Sequence, residues 1–222
     1  DKTVGVFHQD FEAQYTVTSE YVEWMFDHYR DEIEPYWVCL PMATRTAVSS
    51  YEMFWYPWDD TKEELWVRPM PEKEYVINLK HNPFFHYRYR MHQEDLARQF
   101  GRWYKDVHEQ KKTVCLLGIR ASESLQRYSG IVNKQYGYKG EAWITRSFKD
   151  VYNASPLYDW RTEDVWVAYS RFQYRYNRLY DLYYKAGLKI DQMRVASPFN
   201  DYAKDSLNLY RVIDPQIWMK LV

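Results

Sequence analysis

Apolar positions follow two different periods near the start of the chain, and each period predicts an element. The β-branched and apolar run at residues 3–7 predicts a buried strand, and the run at 36–40 predicts a second one. Between them, residues 18–33 place apolar side chains on one face at helical spacing, with Thr18 or Ser19 as the N-terminal cap. This order predicts two parallel strands joined by a crossover helix.

The rest of the chain also alternates between helical and strand patterns, after an irregular stretch at 41–74. Asp214 followed by Pro215 predicts one more helix start, and we expect that helix to be cut short at residue 222. The other predicted elements are a helix at 93–109, a strand at 113–117, a strand around 142–145, a helix near 163–175 capped by Thr162, and a helix at 178–186 closed by Gly187.

The irregular stretch is rich in aromatic residues, which crowd together between Tyr51 and Trp66. A loop of this length inside a compact domain is usually functional or disordered, and its aromatic content argues against disorder. Two interpretations stay open. The aromatic residues cover the core as a lid, or they form a surface that contacts a partner or stacks on nucleotide bases.

The composition is that of a globular chain, with 222 residues, of which 46% are hydrophobic and 27% charged. It excludes a disordered chain, a collagen and a disulfide scaffold. No run approaches the roughly 20 apolar residues of a membrane helix, and the opening residues lack the basic start of a signal peptide. Cys39 and Cys115 each lie in an apolar run, which fits a reducing compartment. We therefore expect a cytoplasmic protein without membrane contact.

Charge is unevenly distributed along a chain whose formal net charge is −1. Residues 1–34 hold nine acidic and two basic side chains, whereas residues 111–149 hold eight basic and two acidic ones. A basic block inside a neutral protein is what an anionic ligand needs. The alternative is a solvated basic face without a ligand.

Metal and thiol chemistry have little support in the sequence. His81, His86 and His92 are spaced by five and six residues, which matches neither a helical metal pair nor a zinc finger. We expect them to be surface or hydrogen-bonded histidines. Cysteines in apolar strands are expected to be inert. The sequence contains no Cys-x-x-Cys, Gly-x-Gly-x-x-Gly or Walker A pattern.

The segment that follows the predicted strand 113–117 has the features of a phosphate-binding loop. Gly118 allows a sharp turn there. Arg120 and Arg127 follow, seven residues apart. If the chain between them is helical, seven residues make about two turns and place both guanidinium groups on one face. Arginine forks beside a helix start, at the carboxyl end of a parallel strand, suit a bound phosphate.

Neighbouring side chains in this segment support the same interpretation. Ser122 or Ser124 is placed to cap the helix, and a helix N-terminus favours anions. Glu123 is placed to hold one arginine in position. The alternative is a network of arginine and glutamate on the surface with no ligand.

Four segments resemble, in order, those of the phosphoadenosine phosphosulfate (PAPS) reductase family, and they span about residues 4–187. The continuation from Gly187 to Phe199 is similar to a divergent branch that contains the DUF3440 proteins, including the immunoglobulin-binding regulator A type. The four segments are Phe7-His8-Gln9-Asp10 with Thr18 and Glu20, Gly118-Ile119-Arg120 with Glu123-Ser124 and Arg127, the run from Pro156 to Trp166, and Asn177-Arg178-Leu179-Tyr180-Asp181.

The resemblance implies an α/β fold of the adenine nucleotide α-hydrolase-like (PP-loop) type, with a twisted parallel sheet between helices. It implies a nucleotide-binding domain at 1–187 and the start of a mostly helical region at 188–222. ATP or PAPS would bind at the carboxyl ends of the strands, with Mg²⁺ accompanying ATP. Asp10 would lie near the adenosine, and Arg120 and Arg127 would be catalytic. The other implied binding residues are Gly118, Ile119, Glu123 and Ser124.

Two departures from the family pattern limit what the resemblance implies. The Ser-Gly-Gly-Lys-Asp-Ser loop of the family belongs to a first strand that would precede Asp1, so either that strand lies upstream or the site is incomplete. The Glu-Cys-Gly-(Leu/Ile)-His tail that carries the nucleophilic cysteine of PAPS reductases does not occur in this sequence. We therefore expect adenylation of an acceptor rather than reductive release of sulfite.

Two functional hypotheses follow. The first is an enzyme that acts on the α-phosphate or phosphosulfate of an adenine nucleotide. The second is a nucleotide-sensing regulator or scaffold without catalysis, acting with a ParB-like partner and thereby associated with DNA, as the resemblance implies for this branch.

Overall fold

The structure is a computed structural model of the chain, and it describes residues 4–132, 137–200, 203 and 207–221. The chain divides into two compact units. Unit 1 consists of Asp1–Leu96 and Asn177–Val222, and unit 2 consists of Ala97–Tyr176.

The strands of unit 1 are β1 (Val4–Gln9), β2 (Ile33–Val38), β3 (Thr44–Arg45), β4 (Phe54–Trp55) and β5 (Val76–Ile77). Its helices are α1 (Thr16–His28), α5 (Leu179–Lys185), α6 (Tyr210–Ile213) and α7 (Pro215–Leu221). Helix α2 (Gln93–Val107) begins in unit 1 and continues into unit 2. The remaining elements of unit 2 are β6 (Thr113–Leu116), α3 (Leu125–Val132), β7 (Gly137–Tyr138), β8 (Glu141–Phe148), β9 (Val151–Ala154) and α4 (Thr162–Phe172).

Unit 1 is built on a parallel sheet in the order β1-β2-β5. Its register places Val4 opposite Ile33 and Gln9 opposite Val38. The parallel pairing predicted from the strand–helix–strand pattern is therefore confirmed. Thr3, the first residue of the predicted strand, lies outside the described residues.

Helix α1 begins and ends earlier than the apolar stripe predicted. The residue before it, Tyr15, makes no side-chain capping hydrogen bond. Thr18 and Ser19 lie inside the helix, so the prediction that one of them caps it is wrong. Thr18 is buried and accepts a hydrogen bond of 3.0 Å from the side-chain amide of Asn177.

The aromatic stretch covers the core of unit 1 with most of its rings. Trp58 is fully buried, and Trp55 packs against Phe199 with ring centroids 4.4 Å apart. The lid interpretation is therefore correct for these residues, because their rings gain most from burial. Tyr51 does not cover the core, since 98% of it is exposed.

Unit 2 contains a mixed sheet in the order β6-β9-β8-β7. Strands β6 and β9 are parallel, whereas β8 pairs antiparallel with both β9 and β7. The expectation of a parallel sheet is thus confirmed for β6 and β9 and wrong for β7 and β8. Lys139, Gly140 and Asp150 adopt left-handed backbone conformations and form tight turns, and tight turns reverse the chain where a parallel connection would need a crossover.

Three predicted helix boundaries are close to those of the structure. Helix α7 begins at Pro215, as predicted. Helix α5 is followed by Gly187 with a φ of +87°, which suits the predicted C-terminal stop. The cap of α4 is Arg161 rather than Thr162, because the Asp164 carboxylate accepts a hydrogen bond of 2.8 Å from the Arg161 backbone N–H.

Candidate functional site

Two loops meet at the carboxyl ends of the parallel strands β6 and β9 in unit 2. The Ala121 N–H donates to the Tyr158 carbonyl at 2.8 Å, and the Ser122 hydroxyl donates to the Trp160 carbonyl at 3.1 Å. These are two of the segments that the sequence analysis singled out. The carboxyl ends of parallel strands are where open α/β sheets bind ligands.

Arg120 is held between these two loops by two hydrogen bonds. Its Nε lies 3.3 Å from Oε1 of Glu123, and its Nη1 lies 3.1 Å from Oγ1 of Thr162. The prediction that Glu123 holds an arginine is confirmed. Since Thr162 is the first residue of α4, the guanidinium group lies at the positive end of that helix. Only 17% of the Arg120 side chain is exposed, so its orientation is restricted.

Arg127 is placed differently from the expectation. A 3₁₀ turn covers Ala121–Glu123, and Ser124 then adopts an extended conformation before α3 begins. Ser124 interrupts the helix because its side chain caps the next one: its Oγ accepts a hydrogen bond of 3.2 Å from the Arg127 N–H. The predicted cap is confirmed. The argument that put both guanidinium groups on one continuous helical face is wrong, and Arg127 is exposed on the first turn of α3.

The loop between β6 and Arg120 is open on one side. Gly118 is exposed, its φ lies outside the left-handed region, and a Cβ built on it would meet no atom within 4 Å. The fold therefore does not require glycine there, contrary to the sharp turn that we expected. Ile119 is half-buried beside it. The open space leaves the backbone of this loop accessible to a ligand.

Asp10 belongs to unit 1, where it is fully buried directly after β1. Its Oδ2 accepts a hydrogen bond of 2.5 Å from the Trp37 indole and forms an ion pair with Arg68. Its Oδ1 accepts a hydrogen bond of 2.8 Å from the Glu12 N–H. These donors make Asp10 an organising residue of the loop after β1, and its predicted position near the adenosine stays a prediction.

Glu12 extends this buried network. Its carboxylate accepts hydrogen bonds from the backbone N–H groups of Trp58, at 2.8 Å, and Val67, at 2.7 Å. Burial raises the pKa of Glu12, although the two N–H groups and Arg68 oppose the shift. Sequence reasoning missed Glu12 and Arg68. The only available signal was a second carboxylate two residues after Asp10, and nothing local connects it with partners 46 and 55 residues further along the chain.

The two cysteines of the chain are free thiols. Burial raises the pKa of both Cys39 and Cys115, and Cys39 lies 3.8 Å from Oδ2 of Asp10. A raised pKa keeps a thiol protonated at neutral pH, and a protonated thiol is a poor nucleophile. These thiols are therefore unsuited to attack on a sulfate group.

The residues that the structure describes show neither a metal cluster nor a membrane-spanning helix. No group of three or more His, Cys, Asp or Glu side chains that could hold a metal ion is found among those residues. In the same part of the chain, no helix has the length and the apolar character needed to cross a membrane.

Comparison with known proteins agrees with the order of the segments. The phosphoadenosine phosphosulfate reductase domain matches residues 2–186, and the domain of unknown function DUF3440 matches residues 187–222. The uncharacterized protein YbdN of Escherichia coli (strain K12) is 34% identical over 222 residues, which are 98% of this chain and 52% of YbdN. The chain thus spans about half the length of this curated relative.

No solved structure matches the chain significantly. The family match covers most of the chain and includes both loops at the carboxyl ends of β6 and β9. The chain therefore belongs to the phosphoadenosine phosphosulfate reductase family of adenine-nucleotide-binding PP-loop proteins, with a DUF3440 part at its C-terminal end.

Proposed function

We propose that this chain binds the phosphate groups of an adenine nucleotide at the carboxyl ends of β6 and β9 and serves chemistry at the α-phosphate or phosphosulfate. The observation that carries the proposal is the fixed position of Arg120 between Glu123 and Thr162. A guanidinium group that is already oriented costs less to organise when an anion binds.

Several charges support an anion at this edge. Arg120 lies at the N-terminal end of α4, where the helix dipole adds a partial positive charge. Arg127 is exposed on α3 and adds a second full charge. The space beside Gly118, where a Cβ would meet no atom within 4 Å, lets a phosphate oxygen approach the backbone of this loop. Together they would stabilise the negative charge that develops when a phosphorus or sulfur centre is attacked.

Adenylyl transfer fits this chain better than reductive release of sulfite. In adenylyl transfer an acceptor attacks the α-phosphorus of ATP, the bond to the bridging oxygen breaks, and pyrophosphate leaves with the electron pair. Reductive release begins instead with a thiolate that attacks sulfate sulfur. Burial raises the pKa of both thiols of this chain, the fully buried Cys39 and the half-buried Cys115, which disfavours that thiolate.

Calorimetric titration of the full-length protein with ATP, PAPS and adenylyl sulfate, in parallel, tests the proposal. We expect binding of at least one nucleotide, weakened about tenfold or more in Arg120→Ala and Arg127→Ala, since a charge-assisted hydrogen bond contributes about 1.5–3 kcal/mol. Arg146→Ala is the matched control, because Arg146 is an exposed arginine on β8, outside both loops. Equal affinity in all variants, or binding of none of the three nucleotides, would overturn the proposal.

Assays of pyrophosphate and sulfite release on the same protein distinguish catalysis from nucleotide sensing. Release of pyrophosphate from ATP supports the enzymatic hypothesis. Nucleotide binding without release of pyrophosphate or sulfite supports the regulatory alternative. The ParB-like partner stays a prediction, which co-purification of the two proteins with and without nucleotide would test.

A further inference from the structure

The chain around the C-terminal end of α4 combines exposed aromatic rings with arginine, and its sequence there has no carboxylate. Residues 165–176 contain five aromatic residues and two arginines, without an aspartate or glutamate. In the structure Phe172 is 58% exposed and Tyr174 is 57% exposed. Large aromatic side chains normally bury most of their surface, so two adjacent exposed rings indicate a surface that contacts something else.

The two rings are held in place by the protein. Their centroids are 5.5 Å apart, with an angle of 30° between the ring planes. Tyr174 packs edge-on against Tyr169, and its backbone N–H donates to the Tyr169 carbonyl at 3.1 Å. Gln173, between the two rings, adopts the left-handed conformation of a helix C-cap. These contacts restrict the positions of both rings before any ligand binds, which lowers the entropic cost of binding.

The surrounding charge selects the sign of the partner. Unit 2 holds fourteen lysines and arginines against eight acidic residues, whereas unit 1 holds sixteen against twenty-three. Within unit 2, the Arg171 guanidinium lies over the Phe172 ring, 5.8 Å from its centroid. A basic unit with a cation beside exposed flat rings suits a polyanion that carries flat, stackable groups.

We propose that Phe172 and Tyr174 form a stacking platform for single-stranded nucleic acid, with Arg171 contacting a phosphate. Unpaired bases stack on aromatic side chains irrespective of sequence, whereas the bases of a duplex are already stacked on each other. The platform is separate from the proposed nucleotide site. It lies at the opposite end of α4 from Thr162, about 15 Å along the helix.

Fluorescence anisotropy of the full-length protein with labelled oligo(dT) and oligo(U) tests this platform. We expect the double variant Phe172→Ala/Tyr174→Ala to bind at least tenfold more weakly, since two bases lose the rings on which they stack. Tyr184→Ala removes an exposed aromatic ring of the acidic unit 1, outside the aromatic stretch at 51–66, and serves as the control, with affinity unchanged. Arg171→Gln leaves both rings in place. It should make the slope of log K against log salt concentration shallower by about 0.7, as expected for one lost phosphate contact.

The outcomes that would overturn the platform are distinct from those that concern the nucleotide. Absence of binding to either oligonucleotide at low salt would overturn it. Equal loss in Tyr184→Ala and in the double variant would also overturn it. If the double variant differs from the wild type in oligomeric mass in solution while its nucleic-acid affinity is unchanged, the surface is a protein interface instead. None of these results bears on calorimetric binding of ATP or PAPS.

Discussion

The Asp214 carboxylate caps two helices of unit 1 at once. One oxygen accepts a hydrogen bond of 2.7 Å from the backbone N–H of Thr16, the first residue of α1, although the two residues are 198 positions apart. The other accepts one of 3.3 Å from the Ile217 N–H in the first turn of α7. Asp214 thereby connects the DUF3440 part to the start of the first helix.

The apolar surroundings of this carboxylate show that the DUF3440 part belongs to the core of unit 1. Tyr210 is fully buried and stacks on Tyr15, with ring centroids 3.7 Å apart. Ile217 joins the same cluster. Burial raises the pKa of both tyrosines. The residues of 207–221 therefore support the segment that leads from β1 into α1.

Replacing Asp214 with alanine should destabilise unit 1 by about 2 kcal/mol, since it removes the side-chain caps of two helix N-termini at once. Chemical denaturation measures the change. Asp191→Ala, at an exposed aspartate, should change the free energy of unfolding by no more than about 0.5 kcal/mol. Equal stability of Asp214→Ala and the wild type would contradict a double cap.

The buried ion pair of Asp10 and Arg68 gives a second prediction. Arg68→Met removes the cation and leaves the carboxylate buried, so we expect a loss of about 3–5 kcal/mol. The double variant Asp10→Asn/Arg68→Met should be more stable than Arg68→Met, because it no longer buries an uncompensated charge. Urea unfolding of the wild type, Asp10→Asn, Arg68→Met and the double variant forms a double-mutant cycle.

An exposed ion pair serves as the control for that cycle. Arg30 and Glu74 pair on the surface, with side chains 53% and 66% exposed. Arg30→Met should cost no more than about 1 kcal/mol. If the costs of Arg68→Met and Arg30→Met are equal, the Asp10 pair does not organise the loop after β1.

The parts of this structure that sequence reasoning predicted depend on local signals. The strand–helix–strand pattern fixed β1 and β2 as a parallel pair, and Pro215 after Asp214 fixed the start of α7. Glu123 lies within one turn of Arg120, so their contact could be predicted from spacing alone. Each of these features is decided within a few residues.

The parts that it missed depend on distant partners or on competing local preferences. The contacts of Asp10 with Arg68 and of Thr16 with Asp214 join positions 58 and 198 residues apart, and no periodicity encodes such pairs. Ser124 had two roles open to it, in a continuous helix or as a cap, and a serine side chain prefers the cap. Because Ser124 caps α3 instead of continuing a helix, Arg120 and Arg127 do not share the helical face that was predicted.

The imidazole of His8 predicts a dependence of stability on pH. Its Nε2 is buried without a hydrogen-bond partner among the described residues, and the ring packs edge-on against Trp37 and Phe26. Burial lowers the pKa of His8 from its ordinary value of 6.5, and Arg68 acts in the same direction, whereas Asp10 opposes it. The unfolded chain therefore binds a proton below pH 6.5 that the folded chain binds less readily.

The stability that His8 contributes is present above its ordinary pKa and is lost as the pH falls below it. His8→Phe removes the titrating group and keeps an aromatic ring, so the variant should lose less stability on acidification, by at most about 1.4 kcal/mol per pH unit. Urea unfolding of both proteins between about pH 7.5 and pH 5.5 measures this difference. The titration of Glu12 is common to both proteins. Parallel profiles would show that His8 titrates alike in both states.

The last prediction separates the role of Gly118 in binding from any role in folding. A methyl group at Gly118 would meet no atom within 4 Å, so Gly118→Ala should leave stability unchanged or raise it by about 0.4–1 kcal/mol. The same methyl group would project from the backbone that the proposed phosphate approaches. We therefore expect nucleotide affinity to fall about tenfold while the melting temperature does not fall.

Gly137→Ala provides the opposite case within unit 2. Its Cβ would lie 2.8 Å from the Glu141 carbonyl oxygen and 3.0 Å from the Ala142 Cα, and these backbone atoms cannot rotate away. This substitution should therefore destabilise the β7–β8 pair by about 1–3 kcal/mol. Thermal unfolding and calorimetric titration of both variants make the comparison. If Gly118→Ala keeps both stability and nucleotide affinity, the phosphate does not approach the backbone at this loop.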